Sequence, residues 1–362
     1  MEPKLEKIDI PGYEEVYHVT EPSVGLQAII AIHSTQRGPA VGGARIFPYL
    51  TLDQALNDAL RLSKGMTYKS LLADLHLGGG KGVIMADPRK EISEGLLRAY
   101  GKAVHTLQGR YFTAEDSGMN QERLHIIRKE TPYVLGLESE ESSGNPCPST
   151  AWGTLRGIQA TLYELTGSCS LKGKIVALQG VGFVGEILAE LLFWEGAKLL
   201  ISDICPEKVE KICKLYDATA VAPDEIYDAA CDVFSPCALG AILNENTIGR
   251  LKCKAIAGCS NNQLATPEAG VLLAERGILY APDVIVNAGG VINVERELQK
   301  EDFRPSRSRD NTNKIYDRLI TLFALAKASN ITTDQAAIVW AEEKMQQESL
   351  VCSAPFATSL KD

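Results

Sequence analysis

In the stretch Leu75-His76-Leu77-Gly78-Gly79-Gly80-Lys81-Gly82-Val83-Ile84, a lysine stands among four glycines between two apolar runs. Glycine costs backbone entropy and gives up packing, so such a cluster marks a tight turn or a close backbone approach. A phosphate loop needs Gly, four residues, then Gly-Lys-Ser/Thr. Here Leu75 lies five before Gly80 and Gly82 follows the lysine, which excludes that motif. Two readings remain: a glycine turn with a surface lysine, and a lysine partly removed from water, its pKa lowered so that it takes and returns protons. Lys69, in Lys64-Gly65-Met66-Thr67-Tyr68-Lys69, adds a second cation near a glycine break, so the two make an anion-plus-base pair. Glu115-Asp116-Ser117-Gly118 supplies acids at a strand end, a common catalytic address, with an exposed turn acid as the equal alternative.

A second constellation is Gln179-Gly180-Val181-Gly182-Phe183-Val184-Gly185. It closes a strand expected at 174–178 and opens a helix through Leu188, Leu191 and Leu192 that stops at Gly196. The next strand, 198–202, ends in Asp203, 23 positions after Gly180 (203 − 180). In that context the glycines allow close approach of a pyrophosphate, and the helix N-terminus supplies positive potential. An acid at this spacing bonds the adenosine ribose and repels a 2′-phosphate, so NAD is expected over NADP.

The elements that must carry these groups follow from patterning. Residues 26–32 read as a buried strand, and 38–45 as a glycine-rich turn that no core requires. Thr51-Leu52-Asp53-Gln54 fits a capping box for a helix running into Lys64-Gly65. A strand at 83–86, a helix capped by Asp87-Pro88 and a strand at 111–114 complete one α/β domain. The acidic, Ser-, Gly- and Pro-bearing segment 138–148 reads as a linker. Beyond it, a helix at 151–165 and short strands at 232–234, 255–257, 278–280 and 284–286 fit a doubly wound parallel sheet. Helices at 313–328 and 333–347 end the chain.

At 362 residues, 45% hydrophobic and 23% charged, two soluble domains are expected. No apolar run approaches the roughly 20 residues of a membrane span, and no signal core opens the chain, so the cytoplasm is the expected location. A net charge of −9 offers no footprint for nucleic acid. The one basic cluster, Arg304, Arg307 and Arg309, reads as the start of a solvated helix. Nine scattered cysteines read as buried free thiols, neither a disulfide framework nor a metal site. The five histidines read as structural, with His76 the mild exception.

Taken together, these motifs resemble the glutamate/leucine/phenylalanine/valine dehydrogenase family. The resemblance spans nearly the whole chain. It rests on Gly42-Gly43-Ala44-Arg45, Lys64-Gly65-Met66-Thr67-Tyr68-Lys69, Gly78-Gly79-Gly80-Lys81, Thr113-Ala114-Glu115-Asp116, Ser143-Gly144-Asn145-Pro146, Gly180-Val181-Gly182, Pro236-Cys237-Ala238-Leu239-Gly240 and Asn287-Ala288-Gly289-Gly290-Val291-Ile292-Asn293-Val294. It implies a substrate/catalytic and oligomerisation domain (1–140 with 331–362) and a Rossmann-type NAD domain (141–330), separated by a cleft.

The same resemblance implies that Lys69 binds the substrate carboxylate, that Lys81 is the acid/base acting through water, and that Asp116 assists proton transfer. It places Gly42, Met66, Val41, Ala114, Asn262, Val291 and Val294 at the substrate. It places Thr150, Gly180, Val181, Gly182, Phe183, Val184, Gly185, Asp203, Ala238, Asn261 and Asn287 at NAD. The implied reaction is oxidative deamination of an apolar L-amino acid, L-leucine first, to the 2-oxo acid, ammonia and NADH. Phenylalanine, tryptophan or valine is the alternative substrate, and a non-catalytic NAD-binding regulator the remote one. A homo-oligomer is implied, an octamer or else a dimer. The chain departs from leucine-acting members at Gly82 (usually Thr or Ala), Asp74 and His76 (Gly and Asn), Val41 (Leu) and Phe183 (often Asn).

Overall fold

Lys4–Lys7 (β1), Glu15–Glu21 (β2) and Leu26–Ser34 (β3) form an antiparallel meander in a computed structural model of the protein. The structure describes residues 2–137, 143–298 and 304–353. Its contacts divide the chain into two units, Met1–Gly144 with Trp340–Asp362, and Asn145–Val339. Of the linker expected at 138–148, residues 138–142 lie outside the described set, and Cys147 and Pro148 already belong to a helix.

In the first unit, β4 (Ala40–Val41) and β5 (Ala44–Phe47) lead to helix α1 (Leu52–Leu72) and strand β6 (Gly78–Met85). Then come α2 (Glu94–Thr106), β7 (Tyr111–Phe112) and α3 (Gln121–Arg128). The sheet order is β1-β2-β3-β6-β4-β7, with β5 pairing farther along β6. On one face Val16, Ile29, Ala31 and Val83 pack against Ala55 and Ala59 of α1. On the other, Ala28, Ile30, Ile32 and Ile84 meet Leu97, Tyr100, Leu124 and Ile127 of α2 and α3. With both faces covered, β3 has no solvent side, hence its unbroken apolar run.

The glycine cluster is strand and not turn, which overturns that half of the sequence reading. None of its four glycines has positive φ; each is required by what presses on the strand. A Cβ on Gly78 would lie 2.0 Å from the Ser34 carbonyl oxygen, and one on Gly79 2.2 Å from the Thr67 amide of α1. On Gly80 it would meet the Tyr111 ring at 2.7 Å, and on Gly82 the Tyr100 hydroxyl at 1.9 Å. The segment at 38–45 is likewise packed, not an idle turn: a Cβ on Gly42 would lie 1.8 Å from the Gly80 carbonyl oxygen.

Several boundaries moved for identifiable reasons. Thr51 does cap α1, accepting from the Gln54 amide at 3.2 Å, but the Gln54 side chain accepts from Leu50 at 3.0 Å, so the box is not reciprocal. Gly65 lies inside α1 and breaks nothing. Helix α2 is capped by Ser93, not Asp87; the Asp87 carboxylate instead accepts from the Arg89 amide in the preceding loop. Asp74 adopts φ 54°, a left-handed conformation for which glycine is the usual choice.

The second unit runs α4 (Cys147–Thr166), β8 (Ile175–Gln179), α5 (Phe183–Trp194), β9 (Lys198–Ser202), α6 (Pro206–Tyr216), β10 (Thr219–Ala220) and β11 (Val233–Pro236). It continues with α7 (Glu245–Ile248), β12 (Ala255–Ile256), α8 (Pro267–Glu275), β13 (Leu279–Tyr280), α9 (Asp283–Val286), α10 (Gly289–Val294), α11 (Pro305–Asn313), α12 (Ile315–Ser329) and α13 (Thr333–Ser353), whose later residues belong to the first unit. All strand pairs are parallel in the order β10-β9-β8-β11-β12-β13, a doubly wound sheet whose order reverses between β8 and β11. The strand expected at 284–286 is helical α9, because a three-residue apolar run carries no period to distinguish the two. The arginines 304, 307 and 309 are exposed on or at the start of α11, as expected. Among the described residues no helix is long and apolar enough to cross a membrane. The eight cysteines from Cys147 to Cys259 are free thiols, but only Cys231, Cys253 and Cys259 of them are buried, so the expectation of uniformly buried thiols is corrected.

His33 is a core histidine. Its Nδ1 lies 2.8 Å from Thr67 Oγ1, and Tyr13 meets its ring edge-on at 4.9 Å. Burial, reinforced by the Lys64 charge, pushes its pKa down to about 4. The fold thus favours the neutral ring, and stability is fully present above the unfolded value near 6.5 and lost as pH falls from there toward 4. Urea titrations at pH 7 and pH 5 are expected to show about 2 kcal/mol more loss in the wild type than in His33→Gln; equal losses would remove His33 as the source.

Candidate active site

Lys81 projects from β6 toward α1, because Gly80 and Gly82 on either side face Tyr111 and Tyr100. The main chain of residues 40–44 runs between β6 and the segment 111–114. Its amides at Gly42 and Ala44 donate to the carbonyls of Phe112 (3.2 Å) and Ala114 (2.9 Å). Gly43 allows the next step: a Cβ there would lie 2.9 Å from Asp116 Cβ. With that space open, Asp116 reaches Lys81, Nζ to Oδ2 2.6 Å, with side chains only 7% and 12% exposed.

Arg45 completes the arrangement. Its Nε donates to Asp116 Oδ2 at 3.1 Å and its Nη1 to Asp58 Oδ2 at 3.0 Å, while the Tyr49 hydroxyl donates to the same Asp58 oxygen at 2.6 Å. Burial pushes the Asp116 carboxyl up, but the neighbouring Lys81 and Arg45 cations outweigh it and hold its pKa below the usual value. The ionised form therefore stabilises the fold above the ordinary carboxylate range, and that contribution is lost on acidification. Arg45 stands in the Gly42-Gly43-Ala44-Arg45 motif, where an arginine close to two glycines is the sequence signal for this position. Asp58 and Tyr49 carried none.

Lys69 lies half-buried in the last turn of α1. Thr67, two residues before it, touches Gly79, two residues before Lys81, so the two lysines share one end of the helix–strand contact. Val41 is buried in β4, pairing with Gly79 and Phe112; Met66 and Ala114 are half-buried in the same unit. His76 is exposed.

In the second unit, the dinucleotide motif lies where the sheet order reverses. Gly180 adopts φ 97°, and a Cβ there would lie 2.7 Å from Ala238 Cβ; one on Gly185 would lie 2.1 Å from the Gly180 carbonyl oxygen. A Cβ on Gly182 would meet nothing within 4 Å. The protein's own packing therefore explains the first and third glycines and not the second. Val181 is buried, its amide donating to Asp203 Oδ2 at 2.8 Å, while Asp203 Oδ1 accepts from Cys205 at 2.9 Å. Phe183, in the first turn of α5 before Val184, is 83% exposed, as are Ile204 (91%) and Leu239 (73%) after β9 and β11.

Asn287 donates to Asn261 Oδ1 at 2.9 Å, and its own Oδ1 is buried with no hydrogen-bond partner among the described residues. Asn262, at φ 52°, is held by its amide bond to Asp283 (2.7 Å), a support the sequence did not reveal. Gly289 and Gly290 of α10 close onto Ser149 and Thr150 of α4, and Val291 and Val294 follow on α10.

A parallel nucleotide-type sheet together with a buried lysine–carboxylate pair is the equipment of an oxidoreductase. Two family descriptions match the chain: "Glu/Leu/Phe/Val dehydrogenase, dimerisation domain" over residues 14–133 and "Glutamate/Leucine/Phenylalanine/Valine dehydrogenase" over 201–347. Leucine dehydrogenase of Geobacillus stearothermophilus is 49% identical over 335 residues, covering 92% of this chain and 91% of that protein. Phenylalanine dehydrogenase of Thermoactinomyces intermedius is 45% identical over 92% of this chain and 91% of its own. The crystal structure of L-tryptophan dehydrogenase from Nostoc punctiforme superposes with a TM-score of 0.80 at 40% identity, covering 94% of this chain and 97% of that one. The chain belongs to the glutamate/leucine/phenylalanine/valine dehydrogenase family, NAD(P)-dependent oxidoreductases acting on the CH–NH2 group of their donors.

The Gly82 departure has a local cause, since the buried Tyr100 hydroxyl occupies the space of its side chain. Gly82→Ala is expected to cost about 1–3 kcal/mol as an overpacked core. In a Tyr100→Phe background the nearest ring carbon is 3.0 Å away and much of that cost should vanish. Urea unfolding of the four-variant cycle checks it; additive effects would mean the hydroxyl is not the obstacle.

Proposed function

We propose that the protein catalyses NAD-dependent oxidative deamination of an apolar L-amino acid, L-leucine first, to the 2-oxo acid with release of ammonia and NADH. The observation that carries this reading is the buried Lys81–Asp116 contact of 2.6 Å, braced by Arg45. The leucine dehydrogenase relatives supply the substrate. An aromatic substrate is the second reading, favoured by the small Val41 and Ala114 and by the phenylalanine and tryptophan dehydrogenase relatives.

The second unit's residues fit a dinucleotide. The space beside Gly182 and the unpaired Asn287 oxygen are features the protein itself leaves unused. Residues Gly180 to Gly185 with the α5 N-terminus would hold the pyrophosphate, Asp203 the ribose, and Thr150, Ala238, Asn261 and Asn287 the nicotinamide end. A carboxylate at Asp203 favours NAD over NADP. Once bound, the cofactor supplies the hydride-accepting ring. The chain's own residues do the rest. Lys69 holds the substrate carboxylate, and Asn262, Val291 and Val294 complete the substrate's surroundings. Lys81, once it has given up its own ammonium proton, takes a proton from water as the water adds to Cα of the imino acid, and Asp116 assists protonation of nitrogen. The carbinolamine hydroxyl then gives up its proton to a base, its oxygen forms the carbonyl of the 2-oxo acid, and the C–N bond breaks to release ammonia. Two opposite charges already fixed beside the reacting carbon need little reorganisation as charge develops.

The same reading makes the chain a cytoplasmic homo-oligomer, an octamer or else a dimer; the description of the matched N-terminal domain supports assembly.

NADH formation across a panel of L-amino acids is expected for leucine, valine, isoleucine or an aromatic residue and not for glutamate. Lys81→Ala and Asp116→Asn should each lower kcat/KM by about 10²–10⁴. Wild-type rates in Lys81→Ala would refute its role, and NAD binding without turnover of any substrate would favour a regulator. For cofactor choice, kcat/KM with NAD should exceed that with NADP by about ten- to hundredfold, the equivalent of a hydrogen bond to a charged group; parity would discard the role of Asp203.

A further inference from the structure

Two thiols that the proposed reaction does not use lie side by side at the edge of the nucleotide motif. The β11–β12 ladder pairs Val233 with Ala255 and Phe234 with Ile256. Past the strand ends the register slips by one residue, the Ser260 amide bonding the Pro236 carbonyl at 3.0 Å, and the two segments stay side by side with Cys237 following Pro236 on one and Cys259 preceding Ser260 on the other. Neighbouring positions on paired strands fall within the Cα separation a disulfide requires. Gly258 permits this closeness, since a Cβ there would lie 2.2 Å from the Pro236 carbonyl oxygen. Ser235 Oγ lies 3.6 Å from Cys237 Sγ, and the Cys237 and Cys259 thiols each shift the other's titration.

We propose that Cys237 and Cys259 form an oxidisable dithiol that closes to a disulfide under peroxide and thereby weakens cofactor binding. Cys237 is the attacking group. It is partly exposed whereas Cys259 is buried, and its Cβ lies 3.8 Å from the Cβ position of Gly185 in the first turn of α5, where the helix N-terminus favours a thiolate. The directions of the two pKa values agree: burial raises that of Cys237, but hydrogen bonds from Cys259 and Ser235 bring it below the ordinary thiol value, while the same pairing and burial raise that of Cys259 well above it.

The chemistry balances with hydrogen peroxide as oxidant. The Cys237 thiolate attacks one peroxide oxygen and the O–O bond breaks. Hydroxide leaves and takes up the proton Cys237 had released, giving the first water and a sulfenic acid. Cys259 sulfur then attacks Cys237 sulfur, the S–O bond breaks, and the hydroxyl departs with the Cys259 proton as the second water. Two thiols have lost two electrons and one peroxide has been reduced.

The neighbours explain the consequence, which rests on the NAD reading of this site. Ala238, next to Cys237, packs against Gly180, and the Cys259 carbonyl accepts from Asn287 at 3.3 Å. Drawing the sulfurs into a bond moves both supports of the cofactor loop.

The test begins with NAD binding to the reduced full-length protein; failure there removes the NAD reading and leaves the dithiol to be judged by its cross-link. Protein is then treated with hydrogen peroxide, with and without NAD, and digested without reductant for mass spectrometry. The expected result is a peptide pair joined through Cys237 and Cys259, suppressed by NAD. NAD affinity should fall about tenfold, the equivalent of one lost hydrogen bond, and dithiothreitol should restore it. Cys259→Ser should bind NAD as the reduced wild type does and show no such cross-link or dithiol-dependent recovery. Absence of the cross-link in oxidised wild type overturns the proposal, as does an equal, reversible loss of affinity in Cys259→Ser.

Discussion

A lysine and an aspartate held 2.6 Å apart with little access to water are the constraint to which the first unit answers. Charges removed from water are costly unless paired and hydrogen-bonded. Here the signs alternate through a chain of contacts: Lys81 on Asp116, Asp116 on Arg45, Arg45 on Asp58, with Tyr49 donating to the last carboxylate. Four charges sum to zero. Removing Asp116 leaves the buried Lys81 without its carboxylate, so the groups that serve the reaction also carry part of the local stability.

Assembling that chain of charges dictates the backbone around it. Asp116 can reach Lys81 only if a main-chain segment passes between β6 and β7 without side chains, and Gly42 and Gly43 supply that passage. Lys81 can face α1 only if its neighbours face two buried tyrosines, which glycine alone accommodates. The second unit solves a different problem with the same residue. Gly180 and Gly185 let strand and helix close on each other, while Gly182 leaves room that no protein atom fills. A glycine without an internal reason is the better indicator of a ligand.

Much of this was legible in the sequence because it depends on local rules. The strand, glycine loop, helix and Asp203 were readable from order and spacing, and so was the Thr51 cap. What escaped depends on partners distant in the chain. Glycines at 78–82 look the same whether they turn or lie flat beneath Tyr100 and Tyr111, and only the tertiary contact decides. The apolar run at 284–286 is too short to show a period, and Asp283, which bonds Tyr280 and the Asn262 amide, anchors it as a helical turn. Arg45 was visible, but its two carboxylate partners, 13 and 71 residues away, were not.

The flat strand around Lys81 also bears on how such a protein diversifies. Each of its glycines is backed by a carbonyl, an amide, a ring or a hydroxyl, so single replacements there meet a clash before they meet selection for a new activity. At Gly82 the obstacle is the Tyr100 hydroxyl, so a larger residue there calls for a second change at Tyr100. Relatives named for leucine, phenylalanine and tryptophan share this architecture at 43–49% identity. Mutational freedom is left to positions with slack around them, such as the half-buried Met66, Ala114 and Val291. Packed this closely, the strand resists single changes, and new substrates are more readily accommodated at its margins.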